Sequence, residues 1–141
     1  MRRKASAVWN GGLQDGQGAL STDSGVLDGT QYSFSTRFAE GKGTNPEELI
    51  GAAHAGCFSM AFSGQLNEAG LTPKEIRTTA TVTMEKTDAG FTVTRIHLDV
   101  QANVPGADQK AFEIAANNAK AGCPISRLLN AEITMEAVLV N

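Results

Sequence analysis

Long apolar runs are absent from the sequence, and their absence excludes a membrane-spanning helix. No segment reaches the roughly 18 consecutive apolar residues that such a helix needs. The chain has only two cysteines, Cys57 and Cys123, which are too few for the disulfide scaffold of a small secreted protein. The opening residues are basic, but no apolar segment long enough for a secretory signal follows them. We therefore expect a soluble protein of the cytoplasm.

An excess of charge of one sign is also lacking. The 12 Lys and Arg residues and 15 Asp and Glu residues give a net charge of -3, and the acidic residues form no runs. This distribution provides no basic surface for nucleic acid. The hydrophobic fraction of 41% and charged fraction of 19% exclude a disordered or collagen-like chain. A length of 141 residues fits one core, so we predict a single domain over residues 1–141.

The clearest predicted element is a helix between residues 44 and 70. Asn45 suits its N-cap, Pro46 its first turn and Gly70 its end. Between these signals almost no polar face is left, which is typical of a buried helix. The remainder of the chain must therefore wrap around this helix.

The other segments predict strands and two further helices, and together an α+β fold with antiparallel sheets. Alternation in residues 32–38 predicts a strand on which Arg37 shares a face with Ser33 and Ser35. The remaining predictions are strands over 78–86 and 91–104 with a turn between them and a bulge near Thr94, a helix over 109–121 capped by Asp108, a short helix opened by Pro124, and a strand over 133–140. On the helix over 109–121 the predicted inward residues are Phe112, Ile114, Ala115 and Ala119.

Two cysteines and one arginine are candidates for chemistry. An unpaired cysteine among apolar residues is usually a small core residue, and this interpretation of Cys57 stays open. Cys123 precedes a helix start, where free N–H groups favour a thiolate. Cys57, in mid-helix, lacks that help and needs a nearby cation. Arg37 is the candidate cation, although its pattern also fits an ordinary solvated arginine.

Glu47 lies in the first turn of the long predicted helix, where a carboxylate is common because of the helix dipole. Ten helical residues separate Glu47 from Cys57, a rise of about 15 Å. The two side chains of one chain cannot share a hydrogen-bonded site across that distance. If both serve one reaction, a bridging arginine or a second subunit must connect them, and the latter predicts an obligate dimer.

A metal site is the weaker alternative. His54 stands one helical turn before Cys57 and could join both cysteines in a cluster. Three ligands fall short of the four in a structural zinc site, so we expect neither a metal nor another cofactor.

Two motifs resemble a known family. The segments TNPEELIGAAHAGCFSMA (residues 44–61) and KAGCP (residues 120–124) are similar to the paired cysteine motifs of the osmotically inducible protein C (OsmC) and organic hydroperoxide resistance (Ohr) family. The resemblance extends over the whole chain. It implies antiparallel sheets around a buried central helix, in an intertwined homodimer. It also implies a thiol-dependent peroxidase that reduces organic hydroperoxides in oxidative or osmotic stress defence.

The resemblance also implies roles for four residues. Cys57 corresponds to the peroxidatic nucleophile and Cys123 to the resolving cysteine, which form a disulfide after Cys57 becomes a sulfenic acid. Arg37 and Glu47 correspond to the pair that activates the thiol. The Ohr branch carries its arginine in an early glycine-rich turn, but residues 11–16 read GGLQDG here. This difference favours the OsmC branch and Arg37.

The implied partners are an organic hydroperoxide and a dithiol reductant such as a lipoylated protein. Apolar Phe58, Met60 and Phe62 around Cys57 suggest an alkyl or lipid hydroperoxide rather than hydrogen peroxide. Two other classes of protein remain open as interpretations of the sequence. One is a redox-sensing or small-molecule-binding domain without turnover, and the other is a structural domain with inert buried cysteines.

Overall fold

The computed structural model describes residues 1–141 and divides them into two compact units, Met1–Leu49 and Ile50–Asn141. Both helices and strands are present, and the predicted α+β class is confirmed. The prediction of a single domain over residues 1–141 stays a prediction. No helix is both long enough and apolar enough to cross a membrane.

The N-terminal unit contains a small antiparallel sheet. Its strands are β1 (Ala5–Asn10), β2 (Gln17–Thr22) and β3 (Thr30–Tyr32), and β2 lies in the middle. A short helix α1 (Phe34–Phe38) follows the sheet. The unit ends within the first turn of the long helix α2 (Pro46–Glu68).

The prediction of a strand over residues 32–38 was wrong, because strand β3 ends at Tyr32 and helix α1 replaces the rest. Ser33 is the N-cap of α1, and its hydroxyl accepts a hydrogen bond from the backbone N–H of Thr36. The Thr36 hydroxyl in turn accepts one from the backbone N–H of Ser33 at 2.8 Å. This reciprocal capping box stabilises a helical turn whose serine and threonine residues also suit the polar face of a strand. Arg37 therefore lies in the last turn of a helix.

Both ends of α2 lie close to their predicted positions. The Asn45 side chain accepts a hydrogen bond from the backbone N–H of Glu48 at 2.8 Å. At the other end Gly70 has a φ of 78°, which glycine adopts without strain. The Leu71 N–H donates to the Leu66 carbonyl at 2.9 Å, as is usual where a helix closes on such a residue.

The prediction that α2 is buried all round is not met within this chain. One stripe of the helix is fully covered, formed by Gly51, His54, Phe58, Phe62 and Leu66. The opposite stripe is exposed although it is apolar, and the Met60 side chain at its centre is 80% exposed. A single chain of this size covers only one side of the helix.

The C-terminal unit is built on a sheet of three longer strands. These are β4 (Glu75–Thr87), β5 (Gly90–Asn103) and β6 (Glu132–Leu139), with β5 in the middle. The predicted bulge is confirmed, because Thr83 pairs with Arg95 and Met84 with Val93, which leaves Thr94 as the extra residue. Strand β6 pairs with β5 in parallel, against the expectation of antiparallel sheets alone. Parallel pairing requires a long crossover, which the intervening helices provide.

Two helices form this crossover, α3 (Gln109–Gly122) and α4 (Pro124–Leu128). Asp108 caps α3 as predicted, accepting from the backbone N–H of Ala111 at 2.7 Å. The prediction that Ile114 faces inward was wrong, since its side chain is 53% exposed. The buried stripe of α3 runs through Phe112, Ala115 and Ala119, and a residue two positions after Phe112 lies about 200° around the helix from it.

Candidate active site

Cys57 and Cys123 are neighbours in the C-terminal unit. Cys57 is on α2 and is partly exposed, whereas Cys123 is 1% exposed between α3 and α4. Both are free thiols, and Cys123 lies near enough to Cys57 to influence the pKa of its thiol. Two reduced sulfurs that are neighbours can be joined by a disulfide if an oxidant reaches them.

The break between α3 and α4 determines where the Cys123 sulfur lies. Gly122 ends α3, and Pro124 opens α4 because its fixed φ suits the first helical position. Cys123 between them is extended, with φ -63° and ψ 139°. Its N–H donates to the Ala119 carbonyl at 3.0 Å, and its Sγ accepts from the backbone N–H of Ser126 at 3.3 Å. The sulfur therefore caps the helix that follows it.

The surroundings of Cys57 oppose its ionisation. Burial is the main influence and raises the pKa of the Cys57 thiol above its usual range, because a thiolate is poorly solvated there. The hydrogen bond and the electrostatic interaction with Cys123 raise this pKa further. A backbone hydrogen bond from Ile125 acts in the opposite direction, but it does not reverse the shift. No cation contributes to this balance.

His54 and Ser126 complete the buried surroundings of Cys123. The His54 Nε2 atom lies 2.7 Å from Ser126 Oγ, and the Cys123 thiol donates to that same oxygen at 3.0 Å. His54 is therefore engaged with a hydroxyl group rather than grouped with both sulfurs around a metal site. Ser126 was not predicted as a site residue, although its position three residues after Cys123 is the N3 position of a helix capped by that cysteine.

Arg37 and Glu47 form an ion pair within the N-terminal unit. The Arg37 Nε and Nη2 atoms lie 2.9 and 2.8 Å from the same carboxylate oxygen, Oε1 of Glu47. The other oxygen, Oε2, is buried and has no hydrogen-bond partner. The pairing of these two residues is therefore present, but with one carboxylate oxygen rather than two. The second oxygen is free to accept a hydrogen bond from another group.

Asn45 connects the two elements that carry this pair. Its side-chain amide donates to the Thr36 carbonyl at the end of α1, at 3.2 Å, while its oxygen caps α2. Arg37 follows Thr36 and Glu47 follows Pro46, so one asparagine fixes the end of α1 against the start of α2. A pair built on two joined helix ends has little freedom to separate.

An aromatic hollow lies beside Arg37 in the same unit. It has a volume of about 220 Å³ and is lined by Trp9, Leu13, Tyr32, Ser33, Phe34, Arg37 and Phe38. Trp9 and Tyr32 pack with their ring centroids 5.5 Å apart. Gly18 permits this approach, because a Cβ at that position would lie 2.3 Å from the Tyr32 ring. The hollow thus places apolar walls around one charged guanidinium group.

A second group of potential metal ligands lies on the outer face of the C-terminal sheet. The side chains of His97, Asp99 and Glu136 bring their ligand atoms within 4.8 Å of one another. His97 Nδ1 also lies 2.6 Å from the Thr134 hydroxyl. The two carboxylates are exposed, and the group contains neither cysteine.

Comparison with known proteins agrees with the motifs. The family model described as OsmC-like protein matches residues 39–138. A peroxiredoxin OsmC from Escherichia coli strain K12 is 54% identical over 136 residues, covering 96% of this chain and 95% of the relative.

Solved structures have the same fold. The crystal structure of the organic hydroperoxide resistance protein OhrB of Bacillus subtilis matches with a TM-score of 0.71 and 25% identity, over 96% of this chain and 98% of that one. An OsmC-like protein of unknown function from Vibrio cholerae matches with a TM-score of 0.77 over 98% and 99% of the two chains. Its identity of 16% supports the fold alone.

The influence of Cys123 on Cys57 is testable by replacing the former with alanine. Because Cys123 raises the pKa of the Cys57 thiol, Cys123→Ala lowers this pKa, and the Cys57 thiolate then forms at lower pH. The rate of iodoacetamide alkylation, measured against pH, reports this directly, since only one cysteine remains. The reference is the rate of alkylation at Cys57 in the wild-type protein, measured by peptide mass spectrometry. An inflection at the same or a higher pH in Cys123→Ala would contradict the prediction.

Proposed function

The chain belongs to the OsmC-like protein family, and from this premise we propose that it is a peroxide-metabolising enzyme, specifically a thiol-dependent peroxidase that reduces organic hydroperoxides to alcohols. The observation that carries the proposal is the proximity of the free thiols of Cys57 and Cys123. The names of the Escherichia coli and Bacillus subtilis relatives, a peroxiredoxin and an organic hydroperoxide resistance protein, support the same activity.

Cys57 is the proposed nucleophile because it is the more exposed of the two sulfurs. Its thiolate attacks one oxygen of the hydroperoxide, the O–O bond breaks, and the alkoxide leaves and takes a proton. Cys57 becomes a sulfenic acid, which condenses with a neighbouring thiol to a disulfide. Cys123 is that thiol, and the condensation releases water and protects Cys57 from further oxidation. A dithiol such as a lipoylated protein then reduces the disulfide.

Activation of Cys57 requires a cation that its own surroundings do not supply. Burial and Cys123 raise the pKa of the Cys57 thiol, and the Ile125 hydrogen bond does not compensate. We assign the missing charge to Arg37, whose guanidinium is held by Glu47 at 2.8 and 2.9 Å. Guanidinium N–H groups favour the thiolate and also stabilise negative charge on the leaving oxygen. Glu47 orients Arg37 for both tasks.

The substrate class follows from the hollow beside Arg37. Its walls of tryptophan, tyrosine and phenylalanine suit an alkyl or aryl group rather than the small polar hydrogen peroxide. Phe58 and Phe62 do not contribute to this preference, contrary to the prediction, because both side chains are completely buried in the core. The Met60 side chain faces outward on α2.

A second copy of the chain is the proposed cover for the exposed stripe of α2. The stripe consists of small and apolar residues without charge, namely Ala53, Gly56, Met60 and Gly64. Exposed apolar surface of this kind on a long helix is typical of an interface between subunits. We propose a homodimer in which the two copies of α2 pack together. Each chain acts as one OsmC-like domain, and the proposed location is the cytoplasm.

The roles of the two cysteines predict a distinct result for each variant. With dithiothreitol as reductant, wild type consumes tert-butyl hydroperoxide faster than hydrogen peroxide, and Cys57→Ser consumes neither. Cys123→Ser turns over slowly and accumulates a sulfenic acid at Cys57, which dimedone traps for mass spectrometry. Sustained turnover by Cys57→Ser would overturn the assignment. Oxidation of wild type without turnover would instead indicate a redox-sensing domain.

The role of Arg37 predicts a large loss of activity when its charge is removed. Arg37→Met lowers the rate of sulfenic acid formation about 100-fold, the effect of removing a donor that stabilises the transition state. Glu47→Gln, which retains the shape of the partner, causes a smaller loss. Arg77→Met is the matched control, because Arg77 pairs with Glu75 at 2.8 Å on an exposed strand. Equal effects of Arg37→Met and Arg77→Met would exclude a specific role for Arg37.

The proposed dimer is tested by placing a charge in the exposed stripe of α2. Wild type sediments at twice the mass of the chain, and Met60→Glu shifts the protein towards the monomer because a carboxylate would be buried at the interface. Val26→Glu is the control, since Val26 is 84% exposed and lies outside the stripe. A monomeric wild type, or a dimer unaffected by Met60→Glu, would contradict the proposal.

A further inference from the structure

A buried chain of hydrogen bonds leads away from the resolving cysteine, and the proposed mechanism leaves it unused. It consists of Cys123, Ser126 and His54, here called the buried relay. Their exposed fractions are 1%, 8% and 0%. The distances are 3.0 Å from the Cys123 sulfur to Ser126 Oγ and 2.7 Å from that oxygen to His54 Nε2. All three residues lie in the C-terminal unit.

In one tautomer of His54 the donors along the relay all run in the same direction. The Cys123 thiol donates its hydrogen to Ser126 Oγ. A hydroxyl group carries one hydrogen, which Ser126 donates to His54 Nε2 when the neutral ring carries its own hydrogen on Nδ1. The proposal below uses this tautomer of His54. In it the relay ends at an unprotonated nitrogen, which is a base.

The other side of the His54 ring has no hydrogen-bond partner. Its Nδ1 atom is buried and unpaired. Buried polar atoms without a hydrogen-bond partner are rare in folded proteins. An imidazole that only filled the core would not explain why this one is kept. Burial also lowers the pKa of His54, so the ring is neutral before the Cys123 thiol reacts.

We propose that His54, acting through Ser126, is a positioning residue that removes the proton of the Cys123 thiol when this thiol attacks the Cys57 sulfenic acid. The proposal rests on the peroxidase function proposed above and assigns the base for its second step. A thiol becomes an effective nucleophile only when it loses its proton. Cys123 is almost fully buried, so solvent is not in a position to take that proton directly.

The Cys123 proton moves to Ser126 Oγ while the Ser126 proton moves to His54 Nε2. The Cys123 sulfur attacks the Cys57 sulfur, the S–S bond forms, the S–O bond breaks, and hydroxide leaves and takes a proton from solvent. When a thiolate of the dithiol reductant later attacks Cys57, the S–S bond breaks and Cys123 leaves as a thiolate. It then recovers its proton from His54 through Ser126.

Two variants interrupt the relay at different atoms. His54→Gln can still accept a hydrogen bond from Ser126 but cannot take a proton, and Ser126→Ala removes the connection. Ser126→Thr restores a hydroxyl group at the same position. His97→Gln is the matched control, because His97 also contacts a threonine hydroxyl, at 2.6 Å, but lies outside the relay.

The experiment separates the two steps in a single turnover with one equivalent of tert-butyl hydroperoxide. Dimedone trapping measures the Cys57 sulfenic acid, and non-reducing mass spectrometry measures the Cys57–Cys123 disulfide. In His54→Gln and Ser126→Ala we expect sulfenic acid formation within about twofold of wild type and disulfide formation at least about tenfold slower, towards the low end of the range for general-base catalysis. Ser126→Thr and His97→Gln retain the wild-type rates of both steps.

Two other outcomes would overturn the relay, and a third would refute the peroxidase function. Disulfide formation at the wild-type rate in both His54→Gln and Ser126→Ala would overturn the relay. Equal losses in both steps would show that the residues merely support the fold, and they would also overturn it. If His54→Gln does not fold, as judged by circular dichroism, Ser126→Ala against Ser126→Thr decides alone. A wild type that forms no sulfenic acid would instead refute the proposed peroxidase.

Discussion

The proximity of the Cys57 and Cys123 thiols has two opposing consequences for the proposed reaction. The sulfurs must be close for a disulfide to form, yet closeness and burial both raise the pKa of the Cys57 thiol. The C-terminal unit thus favours the second step of the proposed peroxidase reaction and disfavours the first. The proposed reaction resolves the conflict by dividing the work, with Arg37 supplying the charge for the first step and the buried relay supplying the base for the second.

Helix ends position both Cys123 and the Arg37–Glu47 pair. A glycine and a proline interrupt one helical stretch, and the extended residue between them presents its sulfur as the cap of α4. In the N-terminal unit one asparagine joins the end of α1 to the start of α2, which places Arg37 next to Glu47. In both places a helix end carries the functional group. Helix ends suit this task because their unpaired N–H and carbonyl groups need side-chain partners in any case.

Much of the fold could be predicted from local patterns. The caps Asn45 and Asp108, the end of α2 at Gly70 and the bulge at Thr94 all depend on neighbouring residues, and all are confirmed. The errors have two origins, one local and one distant in the sequence. Residues 34–38 alternate like a strand, but the reciprocal bonds of Ser33 and Thr36 favour a helical turn. The parallel pairing of β6 depends on a partner strand that is distant in the sequence.

The candidate site was likewise predictable from the sequence only in part. The sequence alone determined the family, through two cysteine motifs, and the residue types that the proposed chemistry requires. Only the tertiary structure decided that Cys57 and Cys123 are neighbours, that Arg37 uses one oxygen of Glu47, and that His54 is hydrogen-bonded to Ser126, which lies 72 positions later in the chain. Periodicity describes which face of an element is apolar. It carries no information on which distant side chain completes a buried hydrogen bond, because that choice is made when helices and sheet pack together.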